Sequence, residues 1–407
     1  MKLVLPIGMH SSTMPTERSI SSSWPAVLGY GFRPFFLLAG THAVLAIPVW
    51  LFLLQGFGSF TSPLPPLAWH AHEMLFGFIV AAVAGFLLTA VPSWTARRGY
   101  AGAPLLGLTL LWIAGRLVTT FPLGLTALMV ALIDLAFIPI LVLTILPALI
   151  RSGNRRNFVF IGMLAALFAA NLHFHLAGAT KVEPLLLGVN VILLMVAMVG
   201  GRTLPAFTSS GLKQRGIDIR IRRHPSLDIA ALMATLAVVI VDVLFPGTNL
   251  AAVAAAVAAA LLALRLVRWQ GHRTLRDPII WVLHVAYAWL PVGLALKAAW
   301  LFGAPIPDTS WLHALTAGAF STMILAVMSR ATLGHTGREL VAPGLIEIAY
   351  YLIGVAALMR VFGPMLFAEA WRFWMIASGS LWSLAFILFV VVYAPILCSP
   401  RVDGRAG

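Results

Sequence analysis

Residues 70–92 read HAHEMLFGFIVAAVAGFLLTAVP, and the reading of this stretch decides the fold. An α-helix rises about 1.5 Å per residue, so roughly 20 predominantly apolar residues cross a hydrocarbon core of about 30 Å. The stretch is long enough, and beyond Glu73 it carries no charge. Two histidines and a carboxylate nevertheless open it. Polar side chains inside a membrane cost free energy unless they are partnered or used.

The rest of the chain repeats the pattern. Hydrophobic residues make up 61% of the 407 positions and charged residues only 10%, with a mean hydropathy of +0.97. No soluble domain has that balance, because its surface needs a polar coat that lipid does not require. Twelve segments qualify as spans, at 34–57, 70–92, 104–120, 123–150, 157–179, 184–206, 226–245, 249–268, 278–302, 310–333, 343–366 and 370–398. The fold class expected is an all-α polytopic membrane protein. Its organisation is a cytoplasmic extension over 1–30, a twelve-helix domain over 31–398 and a cytoplasmic tail over 399–407. The apolar run Leu3 to Met9 is too short, and too broken by Pro6 and Gly8, for a cleaved signal peptide.

Charge placement sets the orientation. The formal net charge of +14 invites a nucleic-acid reading, but the cations fall in short breaks between apolar runs. Arg97 and Arg98, Arg151, Arg155 and Arg156, Lys213 to Arg223, Arg273 and Arg276, and Arg330 and Arg338 all lie at alternate connections. With the termini and Arg202, 22 of the 27 Lys and Arg residues share one side. The positive-inside rule then predicts cytoplasmic N- and C-termini, with the loop 207–225 in the cytoplasm.

Given that orientation, His70 and His72, His173 and His175, and His313 reach the outer ends of their spans. Five imidazoles from three helices at one depth point to metal ligation, since imidazole binds copper, zinc and haem iron. Residues two apart on a helix point about 200° from each other, so the members of each His-x-His pair face different surroundings. Either one of each pair is a ligand, or the helix stands between two sites. Glu73 is placed to orient a ligating imidazole from behind it, or to carry protons. His42 and His284 fall in the inner half, where a structural role or a separate bis-histidine haem site is open to them. Arg116 and Arg360 suit haem propionates through their planar guanidinium groups, and Lys297 lies near the outer end of its span. Asp134 and Glu347 belong either to proton paths or to ion pairs. The single cysteine, Cys398, excludes a disulfide framework, a Cys-rich zinc site and a covalent CxxCH haem site.

Four stretches carry a family resemblance. GFRPFF at 31–36, WHAHEMLFGF at 69–78, GGRTLPAFT at 200–208 and HALTAGAFSTMILAVMSRATLGHTG at 313–337 resemble the NnrS family. The resemblance implies a bacterial inner-membrane protein with haem, expected to be of the b type, and copper, linked to denitrification and to relief of nitric-oxide stress. The partners it implies are nitric oxide, the bilayer and an electron donor, with no nucleic acid. A four-helix period, with related small-and-basic endings PSWTARRG, GGRTLPAF and SRATLGHTG on the second, sixth and tenth spans, is also similar to the catalytic subunit of haem-copper oxidases. In that pattern one of His70 and His72 shares a haem with His313. The chain departs from it in having no histidine in the sixth span.

The function expected is therefore binding of nitric oxide and its turnover at haem and copper, with an oxidoreductase activity left open. A transporter or metal permease, or a sensor that binds without catalysis, are the alternatives.

Overall fold

The structure, a computed structural model, describes residues 24–56, 62–219, 221 and 224–404. Most of the expected extension over 1–30, together with His10, Arg220, Arg222, Arg223 and the last residues of the tail, lies outside the described residues. Every regular element among the described residues is helical.

Twelve helices are long and apolar enough to cross a membrane. They are α1 Phe32–Leu54, α2 Pro66–Thr95, α3 Ala103–Thr120, α4 Ala127–Arg151, α5 Arg155–Leu176, α6 Glu183–Gln214, α7 Pro225–Leu244, α8 Asn249–Val267, α9 Pro278–Leu301, α10 Asp308–His335, α11 Gly344–Leu366 and α12 Ala368–Leu397. Each expected span is present. The one sizeable difference is α6, which runs to Gln214 where the sequence predicts an end at 206. Along its polar end the hydroxyls are satisfied by the carbonyls of the preceding turn. Thr203 donates to the Val199 carbonyl at 3.0 Å, Thr208 to Leu204 at 2.8 Å and Ser209 to Pro205 at 2.9 Å.

The N-terminal helix closes on the C-terminal one. Arg33, fully buried, donates from Nη1 to the carbonyls of Leu397 at 2.9 Å and Ser399 at 2.6 Å. The last carbonyls of a helix have no partners within it, and a cation there also complements the helix dipole. This gives the Arg of GFRPFF a structural task. The tail continues onto the end of α10, where Arg401 Nη1 donates to the His335 carbonyl at 2.8 Å and the Val402 amide to that of Thr336 at 3.2 Å.

Two helices widen at matching places. Glu73–Ile79 in α2 and Ala314–Phe320 in α10 are π-helical, each beginning directly after a histidine. Such bulges shift the register of the side chains that follow and gather at functional sites. The fifth residue of each is glycine, and each glycine admits a ring from the preceding or neighbouring helix. A Cβ at Gly77 would lie 2.4 Å from Nε2 of His42, and one at Gly318 would lie 2.6 Å from the Trp289 indole. α6 packs against both widened segments, so the two halves of the molecule present similar joints on either side of it.

Candidate functional site

The first group of polar side chains is buried where α1 to α5 meet. α2 brings His72 and Glu73, α3 brings Arg116 and Thr119, α4 brings Asp134, and α5 brings Asn171 and His175. Asn171 and His175 are four residues apart and so share a helix face. His72, Glu73, Thr119, Asp134 and Asn171 are all buried.

One carboxylate oxygen joins the two histidines. Oδ2 of Asp134 lies 3.1 Å from Nε2 of His72 and 3.0 Å from Nε2 of His175. Asn171 donates from Nδ2 to that oxygen at 2.8 Å, which turns its own Oδ1 toward His72 Nε2 at 3.1 Å. On the other side of the ring, His72 Nδ1 faces Oε1 of Glu73 at 3.2 Å. Arg116 ties the two acids together, donating from Nη1 to Glu73 Oε1 at 2.8 Å and from Nη2 to Asp134 Oδ1. The Thr119 hydroxyl adds a bond to Glu73 Oε1 at 2.8 Å.

Carboxylate and amide oxygens only accept hydrogen bonds. Both ring nitrogens of His72 thus face oxygens, and the two acids meet one guanidinium and the imidazoles inside the bundle. Buried charges persist only when paired in this way. The ligand atoms of His72, Asp134 and His175 lie within 4.8 Å of one another, close enough to converge on one metal ion.

A second group lies on the other face of α2. Trp50 of α1 stacks on His70, with ring centroids 4.5 Å apart and planes inclined by 15°. His70 Nδ1 is buried and has no hydrogen-bond partner among the described residues. His313 Nδ1 lies 2.8 Å from the carbonyl of Thr309, which can only accept, so Nδ1 carries the proton. The lone pair of Nε2 is left facing Nη2 of Arg360 at 3.1 Å.

The His-x-His geometry thus separates each pair. His70 and His72 go to different groups, and His173 is exposed while His175 is inside. Arg116 is committed to Glu73 and Asp134, away from His313 and Arg360. His42 and His284, which the sequence places together in the inner half, are apart. His42 Nε2 faces Oε2 of Glu73 at 3.3 Å, whereas His284 Nε2 is bonded to Thr208 at 2.8 Å. Lys297 forms an ion pair with Asp242 and sits 4.7 Å over the Trp311 ring. Asn171, Thr119 and Asp242 are absent from the expectations. Asn171 had a signal, its spacing of four from His175; the other two had none beyond being polar in apolar spans.

The GGR of 200–202 has a packing explanation. A Cβ at Gly201 would lie 1.9 Å from the guanidinium of Arg265, which is held by Asp228 at 2.6 Å and by the Ala197 carbonyl at 2.9 Å. Arg202 Nη1 donates to Asn157 at 3.1 Å.

A family model described as NnrS protein matches residues 26–401. No curated protein matches the chain.

Proposed function

The chain belongs to the NnrS protein family, and from that membership we propose a redox protein that holds haem and copper in the membrane and binds and turns over nitric oxide there. It is a multi-pass membrane protein of twelve spans; the bacterial inner membrane and a cytoplasmic location for both termini are part of the proposal. The observation that carries it is the convergence of His72 and His175 on Asp134, buried among helices.

Two imidazole nitrogens and a carboxylate oxygen suit copper better than they suit calcium or magnesium, which prefer oxygen. His72 would ligate through Nε2, and Glu73 would hold the ring through Nδ1. His70 and His313 fit haem: one has an orphaned buried nitrogen, and the other has its tautomer set by a backbone carbonyl. Arg360, beside His313, is the group to pair with a propionate. When bound, haem and copper supply the one-electron chemistry that nitric oxide reduction needs. The surrounding residues exclude bulk water, fix the imidazole planes and keep the site accessible to a small, nearly apolar gas dissolved in lipid. Electrons come from a donor outside the chain.

The test is the visible spectrum and metal content of detergent-purified protein. A haem spectrum with copper at His72 and His175 is expected, and His313→Ala should alter the haem spectrum while leaving copper in place. Protein that carries neither haem nor copper would overturn the proposal in favour of a transporter. Reporter fusions after Gln214 check the orientation, and an outer location would reverse it.

A further inference from the structure

The membrane face opposite the histidines carries an arginine patch that has no ion-pair partner among the described residues. Arg97 and Arg98 follow α2, Arg151 ends α4, and Arg155 and Arg156 open α5, all exposed. Asn154 clasps the two connections together by donating from Nδ2 to the Trp94 carbonyl at 3.1 Å. Between Glu73 and Glu183 the sequence has a single acid, Asp134, and that one belongs to the histidine group. Elsewhere on the same face cations have carboxylate partners: Arg265 with Asp228 at 2.6 Å and Arg401 with Asp403 at 2.5 Å. None of the five patch arginines forms an ion pair among the described residues.

Beneath the patch lies the half-buried Trp94, packed on a half-buried Phe86 and a fully buried Phe160. Trp94 stacks on Phe160 with centroids 5.1 Å apart, and Phe86 meets Trp94 edge-on at 6.1 Å. Tryptophan favours the level of the lipid headgroups, where its apolar body and polar N–H are both accommodated. Cations above an aromatic floor, at the end of a helix bundle, match a molecule with an anionic head and apolar chains.

We propose that this patch is a binding site for an anionic phospholipid, its phosphate held by Arg97, Arg98, Arg155 and Arg156 and its acyl chains lying against the half-buried Trp94. Guanidinium groups bind phosphate oxygens in pairs, and each basic residue near an anionic headgroup adds to the attraction. The site is separate from the metal chemistry and does not depend on it.

The test uses the full chain in detergent with an equal mixture of phosphatidylglycerol and phosphatidylcholine, and native mass spectrometry to count the lipid retained. Phosphatidylglycerol should be kept preferentially. Arg155→Gln with Arg156→Gln should lower that preference about tenfold, and Arg155→Lys with Arg156→Lys should keep most of it. Arg273→Gln with Arg276→Gln removes the same charge from another exposed connection of that face and should change little. Equal loss in both Gln pairs would mean a diffuse basic face and would overturn the site. Unchanged retention in the Arg155 and Arg156 pair would overturn it too, as would displacement of the lipid by millimolar inorganic phosphate.

Discussion

His72 and His175 direct their Nε2 atoms at the same oxygen, Oδ2 of Asp134, from 3.1 and 3.0 Å. The shared acceptor makes the two imidazoles neighbours, with ring centroids 5.8 Å apart. Asp134 also takes Arg116 on its other oxygen. A single carboxylate thus joins α2, α3, α4 and α5.

Asp134→Asn should therefore cost both stability and metal. Removing one member of a buried ion pair leaves its partner, here Arg116, undercompensated, at about 3 kcal/mol or more. Denaturant or thermal unfolding in detergent measures the first effect. Metal content measures the second, and a drop of at least about tenfold is expected for a lost ligand. A variant as stable and as metal-rich as the parent would remove Asp134 from the centre.

The two histidines of α5 should behave oppositely. His175→Ala should lose copper, because His175 is inside the group. His173→Ala should keep it, because His173 is exposed and forms no part of the cluster. Copper analysis of the two purified variants decides the matter, and equal loss would contradict the separation.

Gly77 leaves room for His42, so Gly77→Ala should be destabilising. A methyl group there would meet His42 Nε2 at 2.4 Å, and overpacking of this kind costs about 1 to 3 kcal/mol. Adding His42→Ala should return much of that loss, since the ring that clashes is then gone. A double-mutant cycle on unfolding midpoints measures the coupling. Strict additivity would show that the two residues do not touch.

Arg33→Met should loosen the join between the first and last helices. It leaves the carbonyls of Leu397 and Ser399 without their buried donor, a loss of about 1.5 to 3 kcal/mol for bonds to a charged group. Faster hydrogen exchange of amides at the end of α12 is the local readout. Unaltered exchange would leave GFRPFF without the capping role.

Membrane insertion, the number of spans and their approximate limits were legible in the residues themselves, because a lipid-crossing helix needs a long apolar run and nothing else from its neighbours. The end of α6 was not legible, because its Ser and Thr residues lie outside any long apolar run, and there their hydroxyls bond the preceding turn. Histidine candidates were legible as polar residues in apolar spans, and the 200° separation of positions two apart was enough to divide each pair. Which member of a pair goes where was decided only by tertiary packing. Helix rotation about its own axis leaves no mark on an almost uniformly apolar stretch, and the π-helical turns after His72 and His313 shift the register of the side chains that follow. The pairing of Asp134 with His72, His175 and Arg116 likewise depends on four helices far apart in the chain coming together. Sequence spacing relates residues within one helix, whereas a hydrogen-bonded polar group inside a bundle is a property of the packed whole.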